Sequence, residues 1–146
     1  MERNIENKEK LQVMAVVGLI RDDTGKILLQ KRVDPNVPDA HEKWEFPGGK
    51  IDFGESPQEA LVRECREEIG CTVRAKRLLP VVQSKIWTKK NGKRYHVLVF
   101  CFEAHITAGK PRPCDKQVSE VRWFEKENVS KLNTLRGIEE LIGLLE

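Results

Sequence analysis

Residues 13–20, VMAVVGLI, are apolar throughout and largely β-branched, the pattern of a strand covered on both faces. Asp22, Asp23, Thr24 and Gly25 supply turn chemistry, and residues 27–29 read as the return strand of a hairpin. A loop carrying Lys31, Arg32, Pro35 and Pro38 leads to a short strand at 44–46 and then to Pro47-Gly48-Gly49, where two glycines permit close backbone approach. Ser56-Pro57-Gln58-Glu59 is a helix start: an N-cap serine, proline in the first helical position, and glutamate three residues after the cap. Leu61, Cys65 and Ile69 form the apolar stripe of that helix, with Val62 beside it, and Gly70 is its stop. Beyond it, residues 73–87 read as one or two strands interrupted at Pro80. Asn91-Gly92 is a hairpin turn into a strand at 95–106, a proline-containing loop spans 109–115, and another strand spans 118–124. The pattern closes with an amphipathic helix over 134–145, burying Leu135, Ile138, Leu141, Ile142 and Leu145. Strands and helices in this order predict a mixed sheet with helices on its faces.

Composition narrows the class. With 146 residues, 39% hydrophobic and 34% charged, and no apolar run near 18 residues, the chain reads as one soluble domain over 1–146 with no membrane span. A domain of this size buries roughly 68–70% of its unfolded surface, so a core forms without disulfide or metal staples. The first ten residues are polar and mixed in charge and are expected to be flexible; they resemble neither a secretory signal nor a transit peptide, which points to the cytoplasm. Cys65, Cys71, Cys101 and Cys114 show no zinc spacing and are expected to be reduced, mostly structural thiols.

The net charge of +3 conceals a segregation. Between Ile69 and Phe102 there is no acid, while Arg74, Lys76, Arg77, Lys85, Lys89, Lys90, Lys93 and Arg94 all fall there; residues 55–68 are acid-rich. A place for cations thus lies beside a place for polyanions. On the first helix, Glu64, Glu67 and Glu68 stand at i, i+3 and i+4, so three carboxylates share one face and repel one another by a few tenths of a kcal/mol per pair. Hard divalent cations such as Mg²⁺ or Mn²⁺ prefer such oxygens, and Mg²⁺ commonly binds through carboxylates together with substrate phosphates.

The order Gly49, five residues, Glu55, seven residues, Arg63-Glu64-Cys65-Arg66-Glu67-Glu68-Ile69-Gly70-Cys71 resembles the Nudix box, G-x5-E-x7-R-E-U-x-E-E-x-G-U, in which U is bulky and aliphatic. Every specified polar and glycine position matches; both U positions are Cys, a change in packing volume more than in chemistry. The runs 43–50 (KWEFPGGK), 17–20 (VGLI) and 121–124 (VRWF) look like the MutT branch of the Nudix hydrolases, and the likeness extends from about residue 13 to 145. It implies an α/β/α sandwich and hydrolysis of a nucleoside diphosphate linked to another group, most readily a nucleoside triphosphate, oxidised or modified bases included, cut to a monophosphate and pyrophosphate. It also implies a requirement for Mg²⁺ or Mn²⁺.

Carried over position by position, the resemblance makes Glu64, Glu67 and Glu68, with the Gly48 carbonyl, the metal ligands. Arg63 becomes the residue that orients them, Glu55 steadies the loop, and Gly49 and Arg32 contact substrate. The general base is one of the helix glutamates or an acid of the 115–120 loop, with Asp115 and Glu120 as candidates. Asn133 matches a position that reads a purine edge, and also suits a helix cap. Trp87, Trp123 and Phe124 are alternatives for stacking on a base. The signatures of relatives that cut ADP-ribose or diadenosine polyphosphates are absent: Ile86, Trp87 and Lys89 occupy those positions. The basic run 85–94 leaves a triphosphorylated RNA 5′ end open as a substrate. A non-catalytic nucleotide-binding module is the alternative of another class. The chain is expected to act as a monomer or a homodimer.

Overall fold

The computed structural model describes residues 10–145. The flexibility expected of residues 1–10 therefore falls outside the described residues except at Lys10, which opens the first strand.

The strands are β1 (Lys10–Ile20), β2 (Ile27–Arg32), β3 (Trp44–Glu45), β4 (Gly48–Lys50), β5 (Thr72–Leu78), β6 (Gln83–Thr88), β7 (Arg94–Ala108) and β8 (Val118–Phe124). The helices are α1 (Pro57–Ile69) and α2 (Ile138–Ile142), with a 3₁₀ turn at Lys126–Lys131 between β8 and α2. One sheet runs β4-β1-β7-β5, and β6 also pairs with β7; the second runs β3-β2-β8. β1 and β7 are parallel over Lys10↔Arg94 to Ile20↔Ala104, and every other strand pair is antiparallel, so the first sheet is mixed.

The expected hairpin of β1 and β2 forms only as a turn. The Asp22 carboxylate accepts from the backbone N–H groups of Thr24 and Lys26, and Arg21 bridges Ile27, but the two strands then part into different sheets. The reason is visible in the alternation of side chains. Leu19, Ile27 and Leu29 enter one apolar cluster with Phe46, Leu135, Ile138 and Leu141; Val16, Ile20 and Leu28 enter another with Leu61, Cys65 and Ile69. Both faces of the paired sheets are thus buried, one under α1 and the other under α2 and the 3₁₀ turn, which is an α/β/α sandwich.

Double coverage reaches only the second half of β1. Met14 is 54% exposed, because the strand begins at Lys10, before the segment that the helices cover. Pro80 separates β5 from β6 as expected, and the two strands take successive stretches of the same edge of the long β7. The close backbone approach expected at the glycines takes the form of a short strand: Gly48–Lys50 is β4, paired to Ala15–Val17 of β1.

α1 carries the expected signals: Ser56 accepts from the Glu59 N–H, the Glu59 side chain accepts from the Ser56 N–H, and Gly70 closes the helix in the left-handed region at φ 70°. Cys65 and Cys71 are fully buried, serving as apolar packing residues at the U positions, and all four cysteines are free thiols. The last helix is shorter than its stripe predicts. Leu135, Ile138, Leu141, Ile142 and Leu145 are all buried, yet the helix covers only Ile138–Ile142. Gly137 (φ 101°) breaks it, packed so closely on the Gln83 amide that a Cβ there would stand 2.7 Å from Nε2.

Candidate active site

Two carboxylates of the box, Glu64 and Glu68, meet the β3–β4 segment at one cavity, lined also by Arg32, Glu45, Gly48, Gly49, Lys50 and Gln117; Glu55 and the more exposed Glu67 lie beside it and reach it through Arg63. Glycine at 48 and 49 lets the chain pass this close. A Cβ at Gly48 would fall 2.1 Å from the Val16 carbonyl oxygen, and one at Gly49 would fall 2.6 Å from the Glu64 carboxyl carbon.

Arg63 gathers the acids. Its Nε donates to Glu55 Oε2 (2.7 Å) and Nη2 to Glu55 Oε1 (2.9 Å), while Nη1 reaches Glu64 (3.0 Å) and Glu67 (3.3 Å). Nη2 also donates to the Lys50 carbonyl at 2.9 Å, tying the helix to the glycine strand. Glu55 accepts from the Asp52 N–H as well, and the bonds from Arg63 and Asp52 hold its carboxyl down at about 2. Arg63 is held charged by the hydrogen bond with Glu55, which outweighs its partial burial.

Deeper in, Glu68 accepts from the Gly48 N–H (2.9 Å) and the Gln30 amide (3.3 Å). Burial pushes its carboxyl up to about 8, and the nearby charges of Glu45 and Glu64 add to that rise. Half-burial also raises Glu64, against the pull of Arg63. Glu45 is buried and accepts from Gln30 (2.9 Å) and Arg32 (3.3 Å); Arg32 also grips Asp34 at 2.8 Å. Burial opposes the Arg32 charge, and Glu45 and Asp34 more than offset it.

Among the described residues, no three His, Cys, Asp or Glu side chains form a finished metal cage, since the acids here are turned toward Arg63, Gly48 N–H and Gln30. The donor set nevertheless suits a hard divalent cation. Buried carboxylates whose protons are held by mutual repulsion and desolvation are the groups that such a cation favours in charged form.

A second cavity shares Arg32, Glu45, Gly48 and Gly49 with the first but is not lined by Glu64 or Glu68. Its walls are mostly apolar, with Val17, Phe46, Val97, Val99, Leu135 and Ile138 among them, and Gln83, Lys85 and Trp87 on one side. Of the three stacking candidates, Trp87 is the one on this wall; Trp123 packs against the cluster under α1, and Phe124 packs edge-on to Trp44 at 5.0 Å.

Asp115, Glu120 and Asn133 line neither cavity. Asp115 is exposed and accepts from the Gln117 N–H (2.8 Å), Glu120 pairs with Arg122 and Lys31, and Asn133 is exposed, its carbonyl accepting from the Trp44 N–H (2.9 Å). The 115–120 loop delivers Gln117 to the carboxylate cavity instead. Glu45, Gln30 and Gln83 are absent from the sequence-based candidates, and Lys85 is among them only as a surface cation of the basic run. The strand period places them together: Gln83, Lys85 and Trp87 alternate along β6 and so share a face. Nor do the eight cations act together, since Arg77 pairs with Glu103 and Lys85 is buried, while Lys89, Lys90, Lys93 and Arg94 lie around the exposed β6–β7 turn.

Comparison with known proteins bears on the family of the chain. The chain is similar to the 8-oxo-dGTP diphosphatase of Escherichia coli, 47% identical over 66 residues, which is 44% of this chain and 46% of that protein. It is also similar to the ADP-ribose pyrophosphatase of Methanocaldococcus jannaschii, 34% identical over 119 residues, 82% of this chain and 65% of that one. The matches thus span from about half to just under two thirds of these relatives. The crystal structure of a MutT NUDIX hydrolase from Burkholderia pseudomallei superposes with a TM-score of 0.71 at 26% identity, covering 92% of this chain and 98% of that one. The NUDIX domain family profile matches residues 11–142, nearly the whole described chain, and the protein belongs to that family.

Proposed function

We propose that this domain hydrolyses a nucleoside triphosphate to a nucleoside monophosphate and pyrophosphate, using Mg²⁺ or Mn²⁺. The observation that carries the reading is the pair of joined cavities, one lined by Glu45, Glu64 and Glu68 and the other apolar with Trp87 on its wall, which suit a phosphate chain and a base respectively. Glu64, Glu67, Glu68 and the Gly48 carbonyl would hold the cation. When bound, it screens the phosphate oxygens and makes water a stronger nucleophile at neutral pH.

The chain's own residues supply the rest. Arg63 fixes the rotamers of Glu64 and Glu67, and Glu55 fixes Arg63 in turn. Arg32, on the walls of both cavities, and Lys50, on the wall of the carboxylate cavity, present positive charge to the phosphates. A water oxygen attacks one phosphorus in line, the anhydride P–O bond breaks toward pyrophosphate, and the water's proton passes to a carboxylate. Glu64 and Glu68 stand at the cavity, within reach of an attacking water, whereas Asp115 and Glu120 are each occupied outside it, so the proton acceptor is one of the helix carboxylates. Gly49 borders substrate by its backbone, and Asn133 would reach a base only from outside the cavity wall. The three buried, free cysteines suit a reducing cytoplasm.

The test is pyrophosphate release from a panel of nucleoside triphosphates with and without Mg²⁺. Metal-dependent pyrophosphate and monophosphate in equal amounts are expected, whereas ligand binding without turnover on every nucleotide would reduce the domain to a binding module. The cations Lys89, Lys90 and Lys93 at the turn after Trp87 favour a second reading, in which the nucleotide is the triphosphorylated 5′ end of an RNA. Turnover of such an RNA at a rate above that of the free triphosphate would select it.

A further inference from the structure

The apolar cavity has two polar groups on its wall that the chain itself leaves unanswered. Gln83 and Lys85 are 7% and 8% exposed, so both are more than nine-tenths buried, and both face the cavity from alternate positions of β6. The orientation of the Gln83 amide is fixed: Nε2 donates to the Gly137 carbonyl (2.9 Å) and to Glu140 Oε1 (3.0 Å), two acceptors that only the NH₂ end can satisfy. Oε1 is consequently left buried without a hydrogen-bond partner. Among the described residues, the Lys85 ammonium makes no hydrogen bond or ion pair; its partner is the Trp87 ring, 5.9 Å from Nζ. A buried acceptor without a hydrogen-bond donor, and a buried ammonium held only by a ring face, cost stability unless a ligand completes their hydrogen bonds.

We propose that Gln83 and Lys85 read the base, selecting one whose ring carbonyl oxygen adjoins a ring N–H, with the Lys85 ammonium donating to the carbonyl and Gln83 Oε1 accepting from the N–H. This rests on the reading of the apolar cavity as the base pocket. An ammonium pairs best with the most electronegative acceptor on a base edge, a carbonyl oxygen, and adenine has none. Gln83 cannot make the paired contact by which an amide side chain reads adenine, because its NH₂ is committed to Gly137 and Glu140. Desolvation lowers the pKa of Lys85, Glu45 and Glu140 act against it, and a carbonyl oxygen in the pocket would add to the stabilisation of the charged form. Trp87 continues the same face of β6 and offers its ring to the base.

Inosine and adenosine nucleotides isolate the contact, since they share size and differ at the 6-oxo/N1–H edge against the 6-amino/N1 edge. Wild type, Lys85→Met and Lys85→Arg are compared on ITP and ATP by pyrophosphate release, and on IMP and AMP by calorimetric binding without metal. Wild type is expected to favour the inosine nucleotide by roughly tenfold or more in both measurements. Lys85→Met should cut that preference by about tenfold and Lys85→Arg, which keeps a donor, should retain most of it. Lys85→Met removes a buried charge, so an unchanged or raised melting temperature accompanies the loss. Wild-type preference within twofold of unity, or a preference untouched in Lys85→Met, overturns the proposal. Preference for IMP without turnover of either triphosphate supports the base-reading pair and overturns the hydrolytic reading instead.

Discussion

Arg63 grips both carboxylate oxygens of Glu55, Nε to Oε2 at 2.7 Å and Nη2 to Oε1 at 2.9 Å, across the start of α1. This fork leaves Nη1 free to reach Glu64 and Glu67, so the loop acid sets the position of the helix acids through one guanidinium. Lysine keeps the charge but not the fork. Arg63→Lys is expected to reduce turnover or metal affinity by roughly 10–100-fold with the fold intact. The check is a Mg²⁺ titration of activity beside a circular-dichroism melt, and an unchanged titration would remove Arg63 from the positioning role.

Glu67 is more open to solvent than Glu64 or Glu68 and contributes little to the core. Glu67→Gln conserves shape and removes one negative charge from the carboxylate face. Turnover is expected to fall by roughly two orders of magnitude or more with an unaltered melt. Near-native activity would exclude Glu67 from the metal-binding set.

The burial of Glu68 has a consequence for stability. Its folded-state value of about 8 lies above that of an unfolded glutamate, so the folded chain holds this proton more tightly. The contribution to stability is fully present in acid below about 4.3 and is lost as pH rises through about 8. In EDTA, the unfolding free energy attributable to this group should therefore decline between those limits, and Glu68→Gln should flatten that part of the curve. Mg²⁺ added at pH 8 is expected to recover stability in the wild type and to recover less in Glu68→Gln. Denaturant melts at several pH values provide the measurement.

Glu103 works in the opposite direction. It is buried, and its ion pairs with Arg21 and Arg77 outweigh the burial that would raise it, so its carboxyl lies below the ordinary range. That contribution is present above the unfolded value and is lost as pH falls through the lowered one. Glu103→Gln should consequently reduce the acid sensitivity of the melt below about pH 4.3 without altering the slope near neutrality.

Leu61 anchors α1 to the sheet. It is fully buried, and its Cδ1 would stand only 3.1 Å from a Cβ at Gly18. Leu61→Ala is expected to cost about 2–5 kcal/mol, read as a lower denaturation midpoint with the m-value unchanged. A smaller loss would mean that the helix settles into the vacated space.

The sequence by itself determined the helix that carries the acids. Ser56, Pro57, Glu59 and Gly70 specify its limits through local hydrogen bonds and dihedral preferences, and the positions of Glu64, Glu67 and Glu68 on one face follow from the helical period. The β6–β7 hairpin at Asn91-Gly92 was legible for the same reason, since its turn chemistry is local. Only the tertiary structure decided which residues join those acids. Glu45 and Gln117 arrive from segments 19 and 53 positions away from Glu64, through pairings of β2 with β3 and β8 that no local signal announces. The parting of β1 from β2 into separate sheets, and the break of the last helix at Gly137 against Gln83, likewise depend on packing between distant elements. Hydrophobic periodicity reports that a residue is buried; which neighbours it is buried against is settled only when the two sheets close on the helices.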